Sequence, residues 1–522
     1  MQLSLLLDAL DEYREIGCPA EDLNIEALVH DSRRAGRAIL FAALVGVTRD
    51  KNGRISDGHE YVAAAAAAGS PAALVQRPLA DLPAICQVVT PNTRVALAKI
   101  AERFHHYPSR SLKMIGVTGT NGKTTVCHLL EAVLAAAGYH VGILGTVETR
   151  YGSVRRPASS TTPEPLELSA TLAAMRDDRV NACVMEVSSH ALSQHRVDGL
   201  SFDLALFTNL TRDHLDYHAD LEDYFQAKRR LFSELLPRAA SGGRTPKAVI
   251  CTDNQYGRRL ADELADGPCQ LLTYGLDPGA MVTLDRGECS LDGGNCQVRH
   301  PQGTLEISLC LPGAYNQQNL LAAVAAGLAL KLDPGAIKKG VEGLAGVPGR
   351  LQRVGRPGQW PAVFVDYAHT DDALTNVLGA LKPITPGRLF CVFGAGGNRD
   401  HGKRPLMGAA VARGADLAVL TSDNPRDEEP GAIMAMVEPG LAGQGWSGVA
   451  DLNGQAGGVY LKQPDRARAI KEAIAAAGPG DVVLIAGKGH ETYQETAGVK
   501  RHFDDREEAA IALAHKGDRG HV

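Results

Sequence analysis

Seven consecutive residues, Gly119-Thr120-Asn121-Gly122-Lys123-Thr124-Thr125, constrain this chain more than any other stretch. An apolar run at 114–117 precedes them, and Val126, Leu129, Leu130, Val133 and Leu134 follow at i, i+3, i+4, i+7 and i+8. That spacing predicts one apolar face of an amphipathic helix, with Gly138 placed to end it in a left-handed cap. Val141–Leu144 then reads as a strand. A glycine loop between strand and helix is the setting for a phosphate cradle. Its backbone N–H groups approach phosphate oxygens, the helix N-terminus adds positive potential, Lys123 can reach the β- and γ-phosphates, and Thr124 can offer its hydroxyl to magnesium. The generic pattern asks for glycine five places before Gly122, where this chain has Val117.

The remainder repeats the same alternation. Apolar runs at 182–187 and 204–207 end in polar residues, as parallel strands do when their C-terminal ends carry a site. A second series, 362–365, 389–393, 417–420 and 482–486, with helical spacing at Leu374, Val377, Leu378 and Leu381, predicts a further doubly wound domain. Turn-formers at His106-Tyr107-Pro108-Ser109 and Gly346-Val347-Pro348-Gly349 mark boundaries, whereas 252–313 is too irregular to assign. The expected fold class is α/β in three domains, 1–107, 108–345 and 346–522. The 522 residues carry 54 basic and 60 acidic side chains, so the cationic excess of a nucleic-acid binder is missing. Ten cysteines from Cys18 to Cys391 include no Cys-x-x-Cys pair, which predicts reduced thiols rather than a zinc site. The N-terminus has no basic region followed by a cleavage site, and the alanine run at 62–68 is far too short to span a bilayer, so a soluble protein is expected.

The run from Gly116 to Thr125 resembles the ATP loop of the Mur ligases and their folylpolyglutamate synthetase relatives, whose spacing accommodates Val117. Met185-Glu186-Val187-Ser188-Ser189-His190 and Thr208-Asn209-Leu210-Thr211-Arg212-Asp213-His214 resemble Mur ligase signatures as well. The resemblance implies a small N-terminal α/β nucleotide-sugar domain, a central P-loop ATPase-like parallel sheet and a C-terminal Rossmann-like domain. It implies magnesium held by Thr124, Glu186 and His214, with Lys228 of Tyr224-Phe225-Gln226-Ala227-Lys228 converted by carbon dioxide into an anionic carbamate. Lys123, Glu186, His214 and Lys228 would then be the catalytic set. Asn316, Asn319, Arg350 and Asp366 match positions near adenine and ribose, implying an ATP site shared by the second and third domains that closes to exclude water.

Asp31-Ser32-Arg33 and Asp57-Gly58-His59 are similar to a uridine-nucleotide-binding pattern, though the stretch at 47–56 is longer than usual. Thr161, Thr162, Ser188, Gln194 and Arg196 match positions that hold a UDP-muramoyl-dipeptide. Asp423-Asn424-Pro425-Arg426 resembles the tetrapeptide of members that add meso-diaminopimelate; a guanidinium can grip that amino acid's distal carboxylate, which lysine lacks. Arg399, Gly487 and Glu491 match the other amino-acid-binding positions. The implied reaction joins meso-diaminopimelate to UDP-N-acetylmuramoyl-L-alanyl-D-glutamate at the expense of ATP, in a cytoplasmic monomer with no nucleic-acid or membrane partner. A relative using another acceptor, such as L-lysine, is the alternative enzyme. A nucleotide-hydrolysing regulatory module is the alternative from another class.

Overall fold

The computed structural model describes residues 1–18, 21–49, 54–80, 82, 85–215 and 217–519. They divide into two compact units, one of Met1–Val282 with Ala322–Gly340 and one of Thr283–Leu321 with Val341–Val522. Both are built from sheets of buried aliphatic strands covered by helices.

The first unit holds two sheets. In the smaller, β1 (Arg14–Ile16), β2 (Ala27–Val29), β3 (Ile39–Ala42), β6 (Ala72–Val75) and β7 (Cys86–Val89) lie in the order β1-β7-β6-β3-β2. The pairs β2/β3, β3/β6 and β6/β7 are parallel, and β1 is antiparallel to β7. Between β3 and β6, a separate hairpin is made by β4 (Val45–Arg49) and β5 (Ile55–Asp57). The middle of the long stretch at 47–56 lies outside the described residues. The β1/β7 register sets Ile16 opposite Gln87, so the chain leaving β1 carries Cys18 alongside Cys86. Their Cα atoms are 4.2 Å apart and a disulfide joins them. The expectation of ten reduced thiols is thereby corrected, because strand pairing, invisible in local spacing, brings these two together.

The larger sheet runs β11 (Val154–Pro157), β10 (Glu148–Tyr151), β9 (Val141–Leu144), β12 (Ala182–Glu186), β8 (Lys113–Thr118), β13 (Leu204–Phe207), β14 (Lys247–Cys251), β15 (Gln270–Tyr274). From β9 to β15 every neighbouring pair is parallel. Val117 is opposite Glu186 and Thr118 opposite Phe207, so the loops after β8, β12 and β13 emerge at one edge. That edge is where an open parallel sheet presents a ligand site. The helix Lys123–Ala136 follows β8 and buries Val126, Leu129, Leu130, Val133 and Leu134, and Gly138 after it has φ 87°. The spacing had predicted both features.

In the second unit β16 (Thr283–Gly287), β17 (Gly294–His300) and β18 (Gly303–Leu309) form an antiparallel sheet from the stretch that sequence patterning left unassigned. A seven-stranded sheet follows, in the order β19 (Gln352–Val354), β20 (Ala362–Asp366), β25 (Val482–Ala486), β21 (Leu389–Phe393), β22 (Leu417–Leu420), β24 (Val459–Lys462), β23 (Ser447–Val449). All but the β19/β20 pair are parallel. β20, β21, β22 and β25 are buried along their whole length, as continuous apolar runs of a sheet covered on both faces should be. A hairpin of β26 (Tyr493–Thr496) and β27 (Val499–His502) leads to the last helix, Asp505–Arg519. Among the described residues no helix is long and apolar enough to cross a membrane.

Candidate active site

The loop after β8 is held open by backbone geometry. Gly119 has φ 144° and Gly122 φ 87°. A Cβ on Gly119 would stand 1.9 Å from Thr208 Oγ1, so only glycine lets the loop lie against the end of β13. The loop is also tied to that end by hydrogen bonds. Thr208 Oγ1 donates to Asn121 O at 2.6 Å, Asn121 N donates to Asn209 Oδ1 at 2.9 Å, and Thr120 N donates to Asn209 O at 2.9 Å. Lys123 folds back so that its ammonium donates to the carbonyls of Gly119 and Thr120, at 2.9 and 2.8 Å. Thr124 and Thr125 are buried at the start of the helix.

Glu186 ends β12 and is buried, with three donors on its carboxylate. Thr124 Oγ1 donates to Oε1 at 3.0 Å, Thr146 N donates to Oε1 at 2.8 Å, and Thr146 Oγ1 donates to Oε2 at 3.0 Å. Lys228, on the helix Leu221–Arg230, is 1 % exposed; its Nζ donates to Gly119 O at 2.9 Å and lies 4.4 Å from the Tyr224 ring centre. Burial pushes its pKa well below the ordinary lysine value, and the nearby Lys123 charge adds to that, against a smaller opposing pull from Asp213. His214 sits at φ 55° in a group of rings, 4.9 Å from His190 and 5.9 Å from Tyr224. Thr120 Oγ1 lies 3.2 Å from Tyr224 Oη, which ties that group to the phosphate loop. Oxygens of Glu186 and Thr124 are the hard donors magnesium favours, so these side chains fit the ion.

A second group adjoins Glu186. Thr162 Oγ1 donates to Glu186 O at 2.8 Å and accepts from Ser188 N at 3.0 Å. Arg196 donates to Thr162 O at 2.8 Å and to Gln194 Oε1 at 2.7 Å, and pairs with Glu164 at 2.8 Å. Thr161 Oγ1 lies 3.1 Å from Thr146 Oγ1. Thr161, Thr162, Ser188, Gln194 and Arg196 are therefore one hydrogen-bonded group, while Ser32 stands in the turn Ser32–Arg34 of the smaller sheet. Arg94 escaped the sequence reading. Its guanidinium donates to Val45 O at 2.8 Å, and burial, with the like charge of Arg196, lowers its pKa against the pull of Glu164.

In the second unit Asn319 Nδ2 donates to Asn316 Oδ1 at 2.8 Å. Asp366, at the end of β20, accepts from Leu351 N at 2.7 Å and Ala368 N at 2.8 Å; burial raises its pKa against the opposing charge of Arg350. After β22, the segment Asp423-Asn424-Pro425-Arg426 meets the loop after β21 so closely that a Cβ on Gly397 would stand 1.8 Å from Pro425 O. Arg426 has φ 51° and donates to Gly397 O at 2.7 Å; Arg399 is exposed on the same loop. Asn424 Nδ2 donates to Glu491 Oε2 at 2.9 Å, and a Cβ on Gly487 would lie 2.9 Å from Asp423 Oδ2. Lys488 organises this group and was overlooked. Its fully buried Nζ donates to Asn424 Oδ1 at 2.8 Å and Tyr493 O at 2.7 Å, with Asp423 at 3.7 Å and Glu491 at 3.8 Å.

Residues 117–327 match the Mur ligase middle domain, and residues 349–489 match the Mur ligase glutamate ligase domain. The chain is 44% identical over 503 residues to the UDP-N-acetylmuramoyl-L-alanyl-D-glutamate--2,6-diaminopimelate ligase of Geobacter metallireducens, covering 95% of this chain and 96% of that one. It is 44% identical to the Geobacter sulfurreducens protein of the same name, over 100% of both. A solved structure of such a ligase aligns with TM-score 0.67 at 32% identity over 95% of this chain and 96% of the other. A Mycobacterium tuberculosis folylpolyglutamate synthase complexed with ADP and AMPPCP shares the fold, with TM-score 0.59 at 21% identity, covering 76% of this chain and 92% of its own.

Proposed function

The chain belongs to the Mur ligase family, and from that premise we propose that it joins meso-diaminopimelate to the γ-carboxylate of D-glutamate in UDP-N-acetylmuramoyl-L-alanyl-D-glutamate. It is an ATP-dependent, amide-forming enzyme of peptidoglycan precursor synthesis with the three-domain α/β fold of its relatives. We assign the domains as 1–107, 108–345 and 346–522. One observation carries the reading of the site: the hydroxyl of Thr124, in the phosphate loop, is hydrogen-bonded to the buried carboxylate of Glu186. A loop built to approach phosphates thus meets a fixed anion where a cation would be shared.

In the proposed reaction the γ-phosphate passes to the glutamate carboxylate. Lys123 turns from the loop carbonyls to the transferring group and stabilises its charge. The resulting acyl phosphate is attacked by the amine of diaminopimelate, and phosphate leaves as the amide forms. Thr124, Glu186, His214 and a carbamate on Lys228 would hold magnesium, which when bound neutralises charge on the phosphates. The lowered pKa of Lys228 supports the carbamate, since the neutral amine is the form that adds to carbon dioxide. Thr161, Thr162, Ser188, Gln194 and Arg196 are assigned to the muramoyl-dipeptide and Ser32 to its uridine end. Asn316, Asn319, Arg350 and Asp366 are assigned to adenine and ribose. Arg426 grips the distal carboxylate of diaminopimelate; Glu491 takes its ammonium, with Arg399, Asp423, Asn424, Pro425 and Gly487 completing that pocket. A cytoplasmic monomer is part of the same proposal.

The test is phosphate release with ATP, magnesium and the UDP-muramoyl-dipeptide, comparing meso-diaminopimelate with L-lysine and identifying the product by mass. Release should require both the dipeptide and diaminopimelate. Equal use of lysine would remove the role given to Arg426, and release independent of any acceptor would sink the ligase reading.

A further inference from the structure

The carboxylate of Glu186 is oriented by a residue that no sequence motif singled out. β9 lies parallel to β12 with Leu144 opposite Met185, so Gly145 and Thr146 leave β9 directly beside Glu186. Gly145 makes room: a Cβ there would stand 2.6 Å from Glu186 Oε1. The carboxylate can therefore lie against the backbone and accept from Thr146 N at 2.8 Å, while Thr146 Oγ1 reaches its other oxygen at 3.0 Å. A carboxylate is acceptor only, so the single hydroxyl proton of Thr146 is committed to Glu186. Thr146 Oγ1 must then accept from Thr161, whose hydroxyl is 3.1 Å away. The direction of this chain is fixed, from Thr161 to Thr146 to Glu186. The acceptor capacity left on the carboxylate is on Oε2, since Oε1 already receives both Thr124 and the Thr146 amide.

We propose that Thr146 is a positioning residue that holds Glu186 and Thr161 as one hydrogen-bonded unit, so that metal binding and muramoyl-dipeptide binding are both set by a single hydroxyl. The inference rests on the roles proposed above for Glu186 and Thr161. Partners that orient a metal-binding carboxylate are commonly worth 10–100-fold in metal affinity. Thr146→Val keeps the shape and the amide donor but removes the hydroxyl, whereas Thr146→Ser keeps the hydroxyl.

The experiment measures Mn2+ binding by electron paramagnetic resonance with β,γ-methylene-ATP present, and UDP-muramoyl-dipeptide binding by calorimetry, on wild type and both variants. Thr146→Val should weaken both by about tenfold and Thr146→Ser should stay within about twofold of wild type. KM for the dipeptide should rise in Thr146→Val while KM for diaminopimelate is unchanged, a split that general loosening of the sheet would not produce. Wild-type affinities in Thr146→Val, or a Thr146→Ser as poor as the valine variant, would overturn the inference while leaving the function intact. A wild-type protein that bound no Mn2+ beside the nucleotide analogue would overturn the metal reading of Glu186 and this inference with it.

Discussion

Lys228 and Lys488 are both buried, one beside the phosphate loop and the other among the loops after β22 and β25, and they have opposite surroundings. Lys228 meets a backbone carbonyl and the cation Lys123, with Asp213 as a weaker opposing charge. Lys488 meets the carboxylates of Asp423 and Glu491, besides Asn424 and the Tyr493 carbonyl. Burial lowers both pKa values, well below the ordinary range for Lys228, while at Lys488 the attraction of Asp423 and Glu491 opposes both burial and the like charge of Arg466. Desolvation alone does not decide what a buried lysine does. Among the described residues beside Lys228 only Asp213 opposes desolvation, which favours the neutral amine; beside Lys488 the carboxylates favour the ammonium against desolvation and Arg466.

The largest expected effect breaks the chemistry and spares the fold. Lys228→Met should reduce turnover by roughly 1000-fold, the scale at which losing a group that stabilises transferring charge is felt. It should change unfolding free energy by no more than about 1 kcal/mol, because the side chain forfeits one hydrogen bond to a carbonyl and the cation's contact with the Tyr224 ring while a costly buried charge is removed. Rates and chemical denaturation measured on one preparation check both. Large destabilisation would show that Lys228 is held for structure.

Lys488→Met should show the reverse. Removing one member of a buried charge cluster typically costs 3–5 kcal/mol, and here it leaves Asp423 and Glu491 with the buried Arg466 as their remaining cation. The expected outcome is a loss of about 3 kcal/mol in stability, with KM for diaminopimelate raised and KM for ATP unchanged. Unchanged stability would mean that the two lysines are equivalent after all.

The same contrast explains what the sequence made legible. The phosphate loop, the strand-end motifs around Glu186 and Ser188, and the strands of both parallel sheets lie in short continuous segments whose residue types follow from local geometry. Gly138 and the apolar stripe from Val126 to Leu134 are of this kind. Thr146 was missed because its link to Glu186 depends on the β9/β12 register and spans 40 residues. Lys488 and Asn424 are 64 residues apart, and Cys18 and Cys86 are 68 apart. Strand pairing sets all these distances, and no periodicity reports it. The β16–β18 sheet was hidden for another reason: its strands are only partly buried, so they carry no continuous apolar run, and β17 and β18 begin at Gly294 and Gly303.

A smaller effect is expected at the surface of the Lys488 network. Arg426→Ala removes the guanidinium assigned to the distal carboxylate and keeps the backbone bond from Arg426 N to Glu495 O, 3.0 Å long. Loss of a charge-assisted pair of about 2 kcal/mol should reduce preference for diaminopimelate over lysine by roughly 30-fold. Competition between the two amino acids, read by product mass, measures it. Full retention of the preference would transfer the specificity to Glu491 or Arg399.

The smallest effect concerns pH and separates the two lysines by their titration. A lysine whose pKa is depressed in the folded state has lost its proton there while the unfolded chain still carries one, up to the ordinary value of 10.5. Across that window the unfolded state binds more protons, so stability rises with pH by at most about 1.4 kcal/mol per unit for each such group. The window for Lys228 opens further below 10.5 than that for Lys488, because no carboxylate pair restrains its shift. In carbon-dioxide-free buffer, denaturation profiles taken in steps upward from neutral pH should therefore rise less steeply in Lys228→Met than in wild type over a span reaching well below 10.5. In Lys488→Met the slope should depart from wild type over a narrower span below 10.5. Coincident departures would mean that Asp423 and Glu491 do not hold the Lys488 charge, and that the two sites differ in their partners without differing in protonation.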